Sequence, residues 1–353
     1  MTIVFAILLF SLLIFIHELG HFVAAKLSGV QVNEFAIFMG PAIFKKQVGE
    51  TVYSIRCIPI GGYCAMEGED EDSDNPRAFG SAKWWKRLII LIAGAAMNFI
   101  TGLIIFAVLF LPGKEIVAPV ITQFDDCCIF NSAEGLQTGD EILEIDGEAI
   151  YLNNDIGTVL ELNQTVKHDI TVLRNGQKLV FENLEMAHTH VNEDGTEYLH
   201  YGIAFGAVRQ VNFWGKLDYV WKVSLDTVRM VRLSLQMLFN GQAGVQDLTG
   251  PVGIVQIMSE TAENAENSKA AFENMLYFGG FIAINLAVMN LLPFPALDGG
   301  RVVALLLTTT IEAITKKKIN PKYEGYIHAA GMVLLLALMA FVLFKDVFMI
   351  FKG

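Results

Sequence analysis

The sequence predicts a polytopic α-helical membrane protein with four transmembrane helices, an inserted small β-rich domain and a β-hairpin loop beside the membrane. Its 353 residues are 53% hydrophobic, with a mean hydropathy of +0.46, which is more apolar than an ordinary soluble domain. Four segments are apolar over about the 20 residues that a helix needs to cross a bilayer. A fifth region instead alternates short apolar runs with Gly, Asn and Asp turns, as strands do.

These segments set the order of elements along the chain. We expect transmembrane helices at 1–25, 88–111, 274–300 and 325–348. The loop 26–87 contains apolar runs punctuated by Gly and Pro, which are typical of strands and hairpins. Residues 116–206 are the β-rich domain. Residues 208–272 are predicted to form an amphipathic helix followed by a linker. The Trp, Tyr, Lys and Arg side chains of that helix suit the membrane interface, and packing on the β-rich domain is the alternative.

Basic residues in the loops predict the orientation in the membrane. Loop 26–87 carries eight Lys and Arg residues and loop 301–324 carries five, whereas the segment before the first apolar run carries none. Because Lys and Arg concentrate on the cytoplasmic side, both loops are expected there and both termini outside. The β-rich domain is then extracytoplasmic.

Charge and cysteine content exclude some classes of protein. The net charge of −12 argues against a nucleic-acid partner, which would require a basic surface. Four cysteines in a chain of this length do not predict a disulfide framework. The adjacent Cys127 and Cys128 are predicted to be free thiols.

The first apolar segment contains the motif His17-Glu18-Leu19-Gly20-His21. Two histidines four residues apart lie on one face of a helix and suit two ligands to one zinc ion, with Glu18 as a base. Ionisable side chains within a membrane helix are costly, which favours a functional site. A chance surface pattern is the alternative, but this segment has no solvated face. A signal peptide is disfavoured because no basic region precedes the apolar run.

A third ligand is expected because catalytic zinc has three protein ligands and an open position. Pro293 and Pro295 interrupt the third apolar segment, so we expect it to unwind there. Asp298 is the acid beside that break, at a predicted membrane depth similar to that of the histidines. The following two glycines permit close backbone approach. We therefore predict Asp298 as the third ligand, the alternative being a simple helix-end turn.

Several motifs together resemble the site-2 protease family of intramembrane zinc metalloproteases, in its bacterial RseP/RasP branch. They are HELGHF, GPAIF, ETVYSIRCIPIGGYCAMEGED, SAEGLQTGDEILEIDGEAI, LTGPVGI and NLLPFPALDGGR, and they extend over nearly the whole chain. The resemblance implies Zn²⁺ held by His17, His21 and Asp298, with Glu18 as the catalytic residue. The family's further motif positions, with suggested substrate-binding or oxyanion roles, fall on Asn290, Pro293, Pro295, Gly94 and Asn98.

The resemblance also implies a substrate and a domain type. The family cleaves transmembrane segments of membrane proteins, such as anti-sigma factors or remnant signal peptides, often after a first cut by another protease. Residues 116–206 resemble a single PDZ domain, and residues 33–66 resemble the family's membrane-associated sheet, thought to bind substrate as an added strand. We find no clear carboxylate-binding loop in the β-rich domain, which leaves it a role as size filter or docking module.

Two other functions are compatible with intramembrane His and Asp residues. A membrane metal transporter or zinc-dependent scaffold would not explain Glu18 beside the ligands, the proline-broken third segment or the strands in the loop. An inactive adaptor would not need all four catalytic positions. The sequence therefore favours an enzyme of a bacterial cell membrane, with its active site toward the cytoplasm.

Overall fold

The computed structural model of the chain describes residues 2–69, 71, 73–125, 135–163, 165–191, 197–242, 244, 250–316 and 321–352. Cys127, Cys128 and the basic residues Lys317 and Lys318 lie outside this range. The helices are α1 (Thr2–Ser28), α2 (Trp84–Phe110), α3 (Asn153–Leu162), α4 (Phe213–Phe239), α5 (Pro251–Glu263), α6 (Ser268–Asn290), α7 (Asp298–Thr315) and α8 (Pro321–Lys352). The strands are β1 (Val32–Val48), β2 (Thr51–Met66), β3 (Glu115–Phe124), β4 (Glu141–Ile145), β5 (Glu148–Ala149), β6 (Lys167–Arg174), β7 (Gln177–Glu185), β8 (His188–Val191), β9 (Glu197–His200) and β10 (Ile203–Gln210).

Among the described residues, four helices are long and apolar enough to cross a membrane, as the sequence predicts. These spans are Ile3–Ser28, Trp84–Phe110, Ser268–Asn290 and Gly325–Asp346. The chain divides into two compact units. The first comprises Met1–Phe106 and Thr227–Gly353, and the second comprises Ala107–Asp226.

Two predicted segments differ from the structure. The segment expected at 274–300 breaks at its prolines as predicted, but its helix α6 begins earlier, at Ser268, and Asp298 begins the separate helix α7. The region 208–272 contains the expected amphipathic helix, α4, but its predicted linker also contains α5. Pro251 suits the first turn of α5, and Met258 packs with Ala6, Leu9 and Leu13 of α1, so burial stabilises this short helix. The placement of α4 at the membrane interface stays a prediction.

The first sheet is formed by β1 and β2, within the loop where strands were expected. Residues 42–48 pair with residues 51–56 across the hairpin turn. Both strands then bend, near the positive-φ residues Phe38 and Gly40 in β1 and Gly61 in β2. Residues 34–37 therefore lie between two parts of β2, paired with 52–55 on one side and with 62–65 on the other. This places the end of β2 at an edge of the sheet.

An apolar cluster packs this sheet onto three helices. Its buried members include Ala25 of α1, Phe35 of β1, Met66 of β2, Ile90 of α2 and Leu305 of α7. Burying each large apolar side chain stabilises such a cluster by about 1.5–3 kcal/mol. The cluster fixes α1, α2 and α7 relative to the sheet.

The second unit contains the small antiparallel sheet that the sequence predicts. Its strand order is β10-β3-β4-β6-β7, with β5 added to β4. Ile121, Ile142, Ile170 and Val172, each at most 1% exposed, form its core together with Ile156 of α3. The alternation of these residues with polar ones explains why one face of the sheet is buried.

Candidate metal centre

Helix α1 presents both histidines of the motif to one point. Nε2 of His17 and Nε2 of His21 lie 3.2 Å apart, and the two residues are 9% and 7% exposed. Four residues make just over one helical turn, which is why the two rings leave the same face. Glu18 leaves the helix about 100° from His17 and about 60° from His21, so it borders this face.

Asp298 brings a carboxylate to the two rings from the first turn of α7. Its Oδ2 lies 3.1 Å from Nε2 of His17 and 3.2 Å from Nε2 of His21. This oxygen is buried and accepts no hydrogen bond from the described residues. Three buried ligand atoms thus form a nearly equilateral triangle.

The triangle fits a zinc ion. In a tetrahedral site with bonds of about 2.0–2.1 Å, neighbouring ligand atoms lie about 3.3–3.4 Å apart. The observed separations of 3.1–3.2 Å are close to that value. Two neutral imidazoles and one carboxylate are also a ligand set that zinc accepts in catalytic sites, leaving one position open.

Contacts behind the rings orient them. Nδ1 of His21 lies 2.8 Å from the carbonyl oxygen of Ile90, to which it donates, so that Nε2 faces the centre unprotonated. Nδ1 of His17 faces two side-chain amides, with Nδ2 of Asn98 at 3.5 Å and Nδ2 of Asn290 at 3.4 Å. The structure therefore brings both predicted asparagines to the same histidine.

Glycines allow the approach of α2 to this face of α1. A Cβ atom on Gly94 would lie 2.3 Å from Nε2 of His21 and 2.8 Å from Cε1 of His17. A Cβ atom on Gly20 would lie 2.4 Å from the carbonyl oxygen of Ala93. Only hydrogen side chains fit at both positions, which gives the predicted Gly94 a steric role.

The remaining predicted positions lie in the loop between α6 and α7. Pro293 and Pro295 separate the two helices, and Pro295 packs against Gly331 of α8. The loop leads directly into Asp298.

Three features around the centre have no counterpart among the predicted site residues. No sequence motif predicts the contact of His21 with the carbonyl of Ile90, because every residue has a backbone carbonyl. Gly62 of β2 packs over Glu18, whose Cγ lies 3.5 Å from the place a Gly62 Cβ would take. Arg301, one turn after Asp298, pairs with Glu69 just beyond β2. An arginine beside an apolar membrane segment was a signal that could have indicated this last pair.

Comparisons with known proteins place the chain in a family. A sequence model of the family described as Peptidase family M50 matches residues 5–338. A provisionally named zinc metalloprotease of Clostridium perfringens is 35% identical over 351 residues, which cover 98% of each chain. The Regulator of sigma-W protease RasP of Bacillus subtilis is 27% identical over 430 residues, and Zinc metalloprotease RasP of Oceanobacillus iheyensis is 28% identical, each alignment covering 98% of both chains. With two histidines and an aspartate converging as a zinc site requires, this chain belongs to peptidase family M50, the site-2 protease family, and is a zinc metalloprotease.

Proposed function

We propose that this zinc metalloprotease hydrolyses peptide bonds within transmembrane segments of membrane proteins, as in regulated intramembrane proteolysis. One observation carries the proposal: the three ligand atoms are buried, and two of them belong to a helix long and apolar enough to cross a membrane. A water-soluble peptide would not need its protease to carry ionisable groups at that depth.

Glu18 is the general base of this reaction. When bound, zinc supplies Lewis acidity, which polarises the scissile carbonyl and makes water more acidic. Glu18 accepts the proton of the attacking water and returns it to the leaving amine nitrogen. The carbonyl of Ile90 holds the ring of His21 in the tautomer that presents Nε2.

The two asparagines have different roles. Asn98 is 1% exposed, so its amide has no access to a substrate and serves to hold the ring of His17. Rotating the Asn98 amide by 180° would exchange its Nδ2 with its Oδ1, which is buried and accepts no hydrogen bond from the described residues. The oxygen would then accept the proton of Nδ1, as the second contact of a metal-bound histidine normally does. Asn290 is only partly buried. Its amide is therefore also available to the substrate backbone or to the oxyanion that forms on the carbonyl.

The end of β2 is the proposed docking edge for the substrate. A membrane-spanning helix has its backbone groups paired internally, so the protease must unwind it before the cut. An extended segment can then add to the edge formed by residues 62–66, which brings it beside Glu18 because Gly62 packs on that side chain. Substrates with weak helix formers near the cut should therefore be preferred.

Residues 116–206, which lie in the second unit, are proposed to form a single extracytoplasmic PDZ-like domain that acts as a size filter or docking module. Support comes from the resemblance of 116–206 and from the sheet covered by α3. The basic loops favour an active site toward the cytoplasmic side of a bacterial cell membrane. Because one relative is named a regulator of sigma-W protease, anti-sigma factors are the first substrates to test, pre-cut by another protease. Remnant signal peptides are the second class.

The test compares Glu18→Gln with the wild type, reconstituted in lipid vesicles with a model transmembrane substrate. We expect zinc content to stay at the wild-type level while cleavage falls by about 10²–10⁴-fold. Glu182→Gln, the same change at an exposed residue of β7, is the matched control and should cleave normally. Mass spectrometry of the products locates the cut.

Three outcomes would contradict the proposal. Undiminished cleavage by Glu18→Gln would exclude Glu18 as the general base. Cuts confined to soluble parts of the substrate would contradict cleavage within the transmembrane segment. Zinc flux into the same vesicles without cleavage would favour the transporter.

A further inference from the structure

The loop between α6 and α7, which leads into the third metal ligand Asp298, has little conformational freedom of its own. Ala296, two residues before Asp298, has a φ of 80°, which non-glycine residues rarely adopt. Such a conformation persists only where the surroundings hold it. On the other side of Asp298, a Cβ on Gly299 would lie 2.2 Å from the carbonyl oxygen of Leu291, so the start of α7 packs directly on the loop.

Helix α8 supplies the contacts that hold the loop. The backbone N–H of Ala296 donates to Nδ1 of His328, at 3.0 Å. The backbone of Gly331 packs on Pro295, because a Cβ at this glycine would lie 2.5 Å from Cβ and 2.6 Å from the carbonyl oxygen of the proline. Residues three apart share one face of a helix, so His328 and Gly331 act on the same stretch of loop.

This face is distinct from the rest of α8. Gly331 is buried and His328 is partly buried, whereas Ile327, Met332 and Val333 are 59%, 48% and 68% exposed. A histidine within an apolar membrane-spanning segment is costly unless it has a specific partner. The Ala296 amide is such a partner.

We propose that His328 and Gly331 are positioning residues that set the place of the Asp298 carboxylate relative to the two histidines. Zinc–ligand distances in well-formed sites vary by only about 0.2 Å, so the place of each ligand atom matters. Releasing Ala296 or displacing Pro295 moves the start of α7, and Asp298 is its first residue. The proposal rests on the zinc centre described above and is independent of the substrate.

The first test exchanges the acceptor at position 328 in the full-length protein. His328→Asn places an amide oxygen where Nδ1 stood, whereas His328→Leu has similar bulk and no acceptor. Zinc affinity is measured by competition with a chelator, and coordination is followed by the absorption spectrum of the cobalt-substituted protein. We expect His328→Leu to bind zinc about 10–100-fold more weakly, as for lost outer contacts of metal ligands, and His328→Asn to restore most of the affinity.

The second test changes the packing at position 331. Gly331→Ala pushes Pro295 away, whereas Gly325→Ala on the same helix meets nothing within 4 Å and is the matched control. We expect weaker zinc binding and a changed cobalt spectrum for Gly331→Ala alone. Zinc held at wild-type affinity by both His328→Leu and Gly331→Ala would overturn the proposal, as would equal loss in His328→Asn and His328→Leu. These readouts need no substrate, so their failure is distinguishable from failure of the proposed proteolysis.

Discussion

Gly94 is the residue at which the smallest change should have the largest effect on the metal centre. Replacing it with alanine adds one methyl group to α2, at a point facing both histidines. That carbon would lie 2.3 Å from Nε2 of His21. The ring of His21 therefore has to move away from the added methyl group, and its Nε2, one of the three candidate ligand atoms, moves with it.

The size of the effect follows from the distances. Ordinary van der Waals contact begins at 3.4 Å, so either the ring of His21 or the two helices must move by about 1.1 Å, the difference between 3.4 and 2.3 Å. This shift is several times the tolerance of about 0.2 Å in zinc–ligand distances. Loss of a contact that only orients a metal ligand already costs about 10–100-fold in metal affinity, and here a ligand itself is displaced. We therefore expect Gly94→Ala to lose at least about 100-fold in zinc affinity, equivalent to about 2.8 kcal/mol.

The assay measures zinc content and affinity of the purified protein alongside its thermal unfolding. Gly102→Ala is the matched control, two turns along α2. Its Cβ would lie 2.5 Å from Cγ1 of Ile284, so it disturbs the packing of α2 on α6 without reaching the histidines. We expect both variants to unfold at lower temperature and only Gly94→Ala to lose zinc. Near-wild-type zinc affinity in Gly94→Ala, or equal loss in both variants, would refute the reasoning.

Two further predictions concern charged groups outside the centre. Hydrogen bonds from Arg77 and Lys26 lower the pKa of Glu50 from 4.5 to about 2, so its ionised form stabilises the fold above about pH 4.5 and this contribution is lost as the pH falls toward 2. The difference in unfolding temperature between wild type and Glu50→Gln should therefore shrink between about pH 5 and pH 3; a constant difference would contradict the assignment. In the second unit, Asp140, 1% exposed, accepts two hydrogen bonds of 2.7 Å from Arg174. Asp140→Ala should destabilise that unit toward the lower end of about 3–5 kcal/mol, measured as faster amide hydrogen exchange in the full chain, and unchanged exchange would contradict this.

Some of the fold could be predicted because its signal is local. The length of an apolar run fixes whether a helix can cross a bilayer, and the four candidate spans follow from that alone. The spacing of His17 and His21 dictates a shared helix face, so zinc was predictable from five residues. Prolines at 293 and 295 indicated where the third apolar segment must break.

Other features depend on segments far apart in the chain. The glycines at the bends of β1 and β2 are visible in the sequence, but their effect is not. The bends bring Gly62 over Glu18 because the sheet packs on α1, a contact between distant segments. Helix α5 was missed because its 13 residues are stabilised by burial against α1 and not by a long periodic pattern.

The sequence by itself determined the candidate spans, the zinc cofactor and the family, because helix period, hydrophobic length and motif spacing are properties of neighbouring residues. Only the tertiary structure decided what holds the ligands in place. The carbonyl of Ile90 behind His21, the amide of Asn98 behind His17 and the contact of His328 with Ala296 each join residues at least 32 positions apart. Such contacts arise from the packing of helices against one another, which no local pattern encodes.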